Sequence, residues 1–413
     1  MANTTLTADI IAKAAVAVLD NELVMAKKVF RGYEDDISKK VNGYEVGETI
    51  TIRKPADFTV RDGATASAQN VTEGKTTLTV DKRKGIDFKF TSQDLTLNIK
   101  DLTDRVIRPA MVQLANQVDV DLHALYKFVP NWVGTPASPI NSFADFAKGP
   151  ERLDENAAPM EGRCGVLSPA DHWGLVGSQT ALYSETISKP AYRKGSTGMI
   201  GNVDLYMTQN VASHTVGAAA TTSAVTDAAA GDGVLSTTWD ASKDLGYMYL
   251  STDGWDASTL KAGDVLEIAD VYDVNPVTKA TLAHKKQFVV MEDTVTASSD
   301  TAIKISPPII PTGAHKNVSA APTDGKAITK VGTGGTTYRQ NMIFHRNAFA
   351  LVSVPLVKPP GAVDVGRETY KGTSVRVIPV YDGISDESMW RLDILYGTKC
   401  VDPRLAVRLS GTT

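Results

Sequence analysis

His172 stands four residues after Ser168 and eight after Cys164, a spacing that would suit a nucleophile and its base if the chain folded them together. The local sequence SPADHW reads instead as a capped helix start, with the histidine in its first turn beside a packed Trp173. No third group orients the imidazole and no oxyanion signature accompanies it, so nucleophilic chemistry is set aside. His284, His315 and His345 are scattered singly, which fits surface histidines better than ligands; HExxH, HxH and carboxylate-rich loops are absent. Glu73–Thr77, EGKTT, invites a phosphate loop, but GxxxxGK[ST] requires glycine where Gln69 stands. GTGGT at Gly332 lacks the strand and helix that a dinucleotide site needs. Neither a cofactor nor a metal is therefore expected.

The single dense basic run is Lys82-Arg83-Lys84, set between Asp81 and Asp87 without interleaved aromatics. That pattern favours solvated charge, or pairing with acidic residues of a neighbour, over nucleic-acid reading. The formal charge of -4 agrees, since domains that grip phosphate are usually basic. Two cysteines, Cys164 and Cys400, far apart in the chain, form neither a disulfide framework nor a CxxC metal signature and fit a reducing compartment. The N-terminal stretch has no basic start, and Lys13 and Asp20 break its apolar run, so neither a signal peptide nor a membrane span is expected.

The elements that carry these residues follow from periodicity. Thr7 can cap a helix over residues 8–27 with Ile10, Ile11, Ala14, Val18, Leu19 and Leu23 on one face. GETITIRKP gives a strand, RDGATASAQNVTEG a polar tip, and KTTLTVDKRKGIDFKFT a long returning strand with Leu78, Val80, Ile86, Phe88 and Phe90 alternating. Extended at about 3.3 Å per residue, that return spans roughly 50 Å, more than its own domain can cover. Val106, Ile107, Ala110, Leu114, Val118, Leu122 and Leu125 predict a long helix whose straight part runs 109–128. Residues 141–217 alternate helix and strand signals, 218–338 are strand-rich, and mixed signals return afterwards. The fold class is α+β, with a small β-barrel or sandwich inserted into a host whose first and last thirds must meet.

This order of elements, together with IRPAMVQLANQVD, GVLSPADHW, IGNVDLYMTQNVASHTVG and LYGTKCVDPRLAV, resembles tailed-phage major capsid proteins of the HK97 fold. It is most similar to coat proteins of short-tailed enteric phages, which carry an inserted β-barrel domain. The resemblance implies an N-terminal arm (1–45), an extended β-hairpin loop (46–91), and a peripheral domain with a spine helix (92–140 and 339–372). It also implies an axial domain (141–217 and 373–413) and the inserted domain (218–338). The implied function is structural rather than enzymatic: self-assembly, as hexamers and pentamers, into an icosahedral shell around double-stranded DNA held non-specifically. The implied partners are a scaffolding protein, a portal protein and, in some relatives, a decoration protein, with no membrane, and assembly in the host bacterial cytoplasm. Arg61, Lys75, Lys82, Arg83, Lys84 and Lys89 are the candidate inter-subunit contacts. An encapsulin-like compartment of the same fold stays open as an alternative, as does a carbohydrate-binding or hydrolytic protein.

Overall fold

A computed structural model describes residues 8–33, 49–58, 60–65, 68, 71, 73–91, 103–180, 198–227, 246–359 and 365–412. Thr7 and most of the arm 1–45 beyond the first helix lie outside the described residues. The chain divides into two compact units, one of residues 1–51, 77–123 and 349–399, the other of 52–76, 124–348 and 400–413. First and last thirds do meet, within each unit.

In the first unit the N-terminal helix is Ala8–Glu22, shorter than its periodicity predicted. It stops because the chain is pinned next to it: Asp119 of the spine helix accepts hydrogen bonds from Val24 N (2.8 Å) and Ala26 N (3.1 Å), which holds Met25–Lys27 as a 3-10 turn. Its buried face is Ile11, Ala12, Ala15, Val16, Leu19 and Leu23, so the stripe is rotated from the expected one toward the alanines. Small residues there allow close approach to the strands Gly366–Tyr370 and Thr373–Asp382, where a Cβ on Gly366 would collide with the Ala8 carbonyl. The spine helix is Arg108–His123, preceded by a π turn at Thr103–Ile107 and tightening into a 3-10 turn at Ala124–Phe128. Pro109 sits in its first turn, where a missing N–H costs nothing.

A five-stranded sheet completes this unit, with Glu387–Cys400 at its centre between Thr373–Asp382 and Lys82–Thr91. The long return expected at residues 75–91 is thus two strands. Lys75–Thr79 pairs with Thr49–Arg53, whereas Lys82–Thr91 leaves the hairpin and pairs with residues 387–396 over ten positions. The break falls where the chain crosses Gly397, whose missing Cβ leaves room for the Thr79 carbonyl.

In the second unit a six-stranded sheet runs in the order Trp132–Val133, Ala406–Leu409, Asn341–His345, Arg163–Leu167, Val203–Met207, Met199–Ile200. Helices Phe143–Glu155 and Pro169–Thr180 lie on one face, contributing Phe146, Leu153 and Leu175 to a core with Leu167, Leu205 and Ile343. Residues 213–215 and 337–339 pair as a two-stranded neck, and beyond it the strand-rich segment closes its own core around Trp255, Phe288, Ile303 and Ile328. Six of its strands form one sheet.

The histidines are less superficial than their spacing suggested. His345 is buried, and His284 stands between Asp273 (3.3 Å) and Glu155 (3.4 Å). Trp173, expected to be packed, is 56% exposed.

Candidate inter-subunit surface

The strand Lys82–Thr91 offers two faces, and they are built differently. On one, Ile86, Phe88 and Phe90 stand half-buried opposite Leu392, Trp390 and Ser388, with the Phe88 and Phe90 rings edge to face at 5.5 Å. The apolar alternation therefore runs from the core of the unit outward along the sheet, past Leu392 and Ile394 toward Tyr381, which is exposed. The turn after it presents Ile384 to solvent at 98% exposure.

On the other face lies a charge cluster. Asp393 is buried and accepts from Arg376 Nη2 (2.6 Å), Arg83 Nη2 (2.8 Å) and Arg391 Nε (2.9 Å). Register explains it: Arg376 and Gly85 are the cross-strand partners of Asp393, Arg391 precedes it by two on the same face, and Arg83 is diagonal to it. The absent side chain at Gly85 leaves space for the carboxylate. Burial by itself would raise this carboxyl, but the three guanidinium hydrogen bonds outweigh it and hold it below the usual carboxylate range. At the inner end of the strand, Lys82 Nζ bonds Thr398 Oγ1 (3.0 Å) and pairs with Asp121 (3.5 Å), which also accepts from Tyr396 Oη (2.8 Å). At the outer end, Lys89 pairs with Glu387 at 3.0 Å.

Of the six candidate contact residues, Lys82, Arg83 and Lys89 thus have partners within their own chain. Lys84, half-buried, and Lys75, exposed, make no ion pair among the described residues. Arg61 folds back on the carbonyls of Gly63 and Thr65, curling the tip of the hairpin. Arg61 and Lys75 belong to the second unit, and Lys82, Arg83, Lys84 and Lys89 to the first. Phe58, Val60 and Val71, in the stretch around that tip, are apolar and exposed. Sequence reasoning missed Asp393, Arg376, Arg391 and Asp121. The signal was present: a single charge set at alternate positions in otherwise apolar strands, as in TSVRVIPV and RLDILY, marks a charge that must be answered inside the sheet.

A profile of the family described as P22 coat protein, gene protein 5, matches residues 1–411. The chain belongs to the P22 coat protein family. It is similar to the major capsid protein of Acyrthosiphon pisum secondary endosymbiont phage 1, 24% identical over 95% of this chain and 94% of the relative. In three dimensions it is similar to a solved structure from Mycobacterium phage Che8, with a TM-score of 0.50, 16% identity, and coverage of 94% of this chain and 90% of that one. The capsid structure of cyanophage P-SCSP1u is a more distant likeness, with a TM-score of 0.43 at 10% identity, covering 89% of this chain and 84% of that one. The chain is a phage major capsid protein of α+β, HK97-like fold, a virion component that associates with copies of itself to form the shell.

Proposed function

We propose that this P22-type coat protein assembles as pentamers and hexamers of an icosahedral shell around packaged double-stranded DNA, with a scaffolding protein and a portal as assembly partners in the host cytoplasm. Its role is structural, not catalytic. Of the loop 46–91, the hairpin of Thr49–Arg53 and Lys75–Thr79 is the arm that lies on a neighbouring subunit, with Arg61 curling its tip and Lys75 and, at its base, Lys84 as cations that make no ion pair among the described residues. The N-terminal helix, spine helix and five-stranded sheet act as the peripheral body, and the six-stranded sheet with its two helices as the axial body; this division differs from the one expected from the sequence, since 373–399 falls with the peripheral body and 341–345 with the axial one. Residues 218–338 are the insertion.

The observation that carries the arm is the contrast between its two ends. Lys82–Thr91 is fastened into its own sheet by ten paired positions and the Asp393 cluster, while Phe58, Val60 and Val71 around the tip stay uncovered. Exposed apolar side chains on a two-stranded extension need a receiving surface. Deleting Arg61–Gly74 should leave a folded monomer that forms no shells with scaffolding protein, read by negative-stain microscopy. Shells of normal size from the deletion would reject the arm's role. Lys84→Glu is the cleaner charge test, because inverting Lys82 or Arg83 also breaks contacts inside the subunit.

A further inference from the structure

Two exposed features of the second unit fit one another. The first is an open cleft of about 570 Å³ beside helix Phe143–Glu155, floored by Phe143, Phe146 and Pro150 and rimmed by Glu151, Asp154 and Glu155. The helix start creates it. Ser142 Oγ caps the helix by accepting from Asp145 N (3.1 Å), which places Phe143 at the first helical position, turned out of the core and 59% exposed, while Phe146 fills the buried position. Asp154 already binds Arg163 (2.6 Å) and Glu155 pairs with Arg152 (3.4 Å), but Glu151 is exposed and makes no ion pair among the described residues.

The second feature is Trp173, at the start of the second turn of helix Pro169–Thr180. Leu175 and Val176 turn inward, and the outward positions are Pro169, Ala170, Trp173 and Gly177. One indole therefore projects from an otherwise small-residue surface. Tryptophan at an exposed site is uncommon, and a projecting one is the typical anchor of a protein interface. Its body is apolar and its single N–H needs an acceptor once covered.

We propose that Trp173 of one copy seats in the Phe143–Pro150 cleft of the next copy, with its indole N–H donated to Glu151. This rests on the shell-forming reading above and names a surface for it. The occupant is a second copy of this chain for three reasons. The family associates with itself. Knob and cleft are different patches on one unit, so the contact is head-to-tail, the kind that builds a ring of subunits when its rotation closes. The polar groups are also complementary: Asp154 and Glu155 are answered within the subunit, which leaves Glu151 as the rim carboxylate without an ion pair among the described residues, whereas the carboxylate beneath Trp173, Asp171, is buried and paired with Arg339 (3.8 Å), so the knob brings an indole N–H and no exposed acid to that acceptor.

The test is a pair of cysteines, W173C with E151C, in the full-length chain, whose native Cys164 and Cys400 are both buried. Oxidised shells should give a non-reducing ladder that ends at the ring size, and neither single variant should. In parallel, Trp173→Ala should keep its melting temperature yet raise the concentration needed for assembly by about tenfold or more. Shells without the ladder, a disulfide confined within one chain, or E151C linked to scaffolding protein would each overturn the docking while leaving the shell-forming reading intact. Failure of the unmodified chain to form any shell would overturn that reading and the docking with it.

Discussion

His123, in the last turn of the spine helix, is fully buried and neither of its ring nitrogens has a hydrogen-bond partner among the described residues. Burial pushes it down to about 4, so it is neutral in the folded subunit and protonates more readily when unfolded. The unfolded chain then binds more protons between pH 6.5 and 4, and stability falls with pH across that window by about 3 kcal/mol. His123→Leu should remove this dependence, giving a melting temperature that changes less between pH 6.5 and 4.5 than that of the parent. Asp393 acts lower on the scale. Its depressed carboxyl contributes stability that is complete above the unfolded value near 3.9 and is lost as pH falls through the folded one. Asp393→Asn leaves Arg83, Arg376 and Arg391 without their counter-charge and should cost about 3–5 kcal/mol at neutral pH, measured by denaturant unfolding.

At the scale of elements, strand Ala406–Leu409 carries a fully buried cation. Arg408 lies between the rings of Tyr126 (5.2 Å) and Trp132 (5.6 Å), donates to Gly263 O (2.8 Å), and has Nε and Nη2 without a hydrogen-bond partner among the described residues. Desolvation pulls it down to about 9 against the pull of Tyr126 and Asp264. Arg408→Met, similar in length and apolar, should leave stability unchanged or raise it, whereas Arg408→Ala should lose about 2–5 kcal/mol to the cavity; thermal melts compare the two. The spine helix was legible in the sequence because one-sided burial sets a period, with Met111, Leu114, Ala115, Val118 and Leu122 on its buried face, whereas Arg163–Leu167 and the first six residues of Thr373–Asp382 are buried at every position and carry no such period. Ends and partners were not legible. Nothing near Leu23 says that a carboxylate 95 residues away will stop the helix, and nothing in KTTLTVDKRKGIDFKFT says that its second half changes partner. Both depend on what arrives from elsewhere in the chain. The exposed Trp173 escaped for the same reason, since SPADHW fixes a helix start but not which residues will cover it.

For the molecule as a whole, the inserted segment has its own sheet and core, and its ends meet at the paired neck 213–215 and 337–339. Expressed alone, residues 218–336 should fold cooperatively, with a single melting transition; a molten spectrum would show that it needs the host. The host has the opposite property. Its six-stranded sheet draws neighbours from residues 132–133, 406–409, 341–345 and 163–167, in that spatial order. The strand in second place is thus translated after every other one, and until it emerges from the ribosome Trp132–Val133 has no neighbour in the sheet and Asn341–His345 has only one. A polypeptide that stops before Ala406 carries a gap in that sheet, not a trimmed edge. Such a chain lacks Val407 and Leu409 from the middle of the core beneath that sheet, so its loss is felt on both sides of the missing strand.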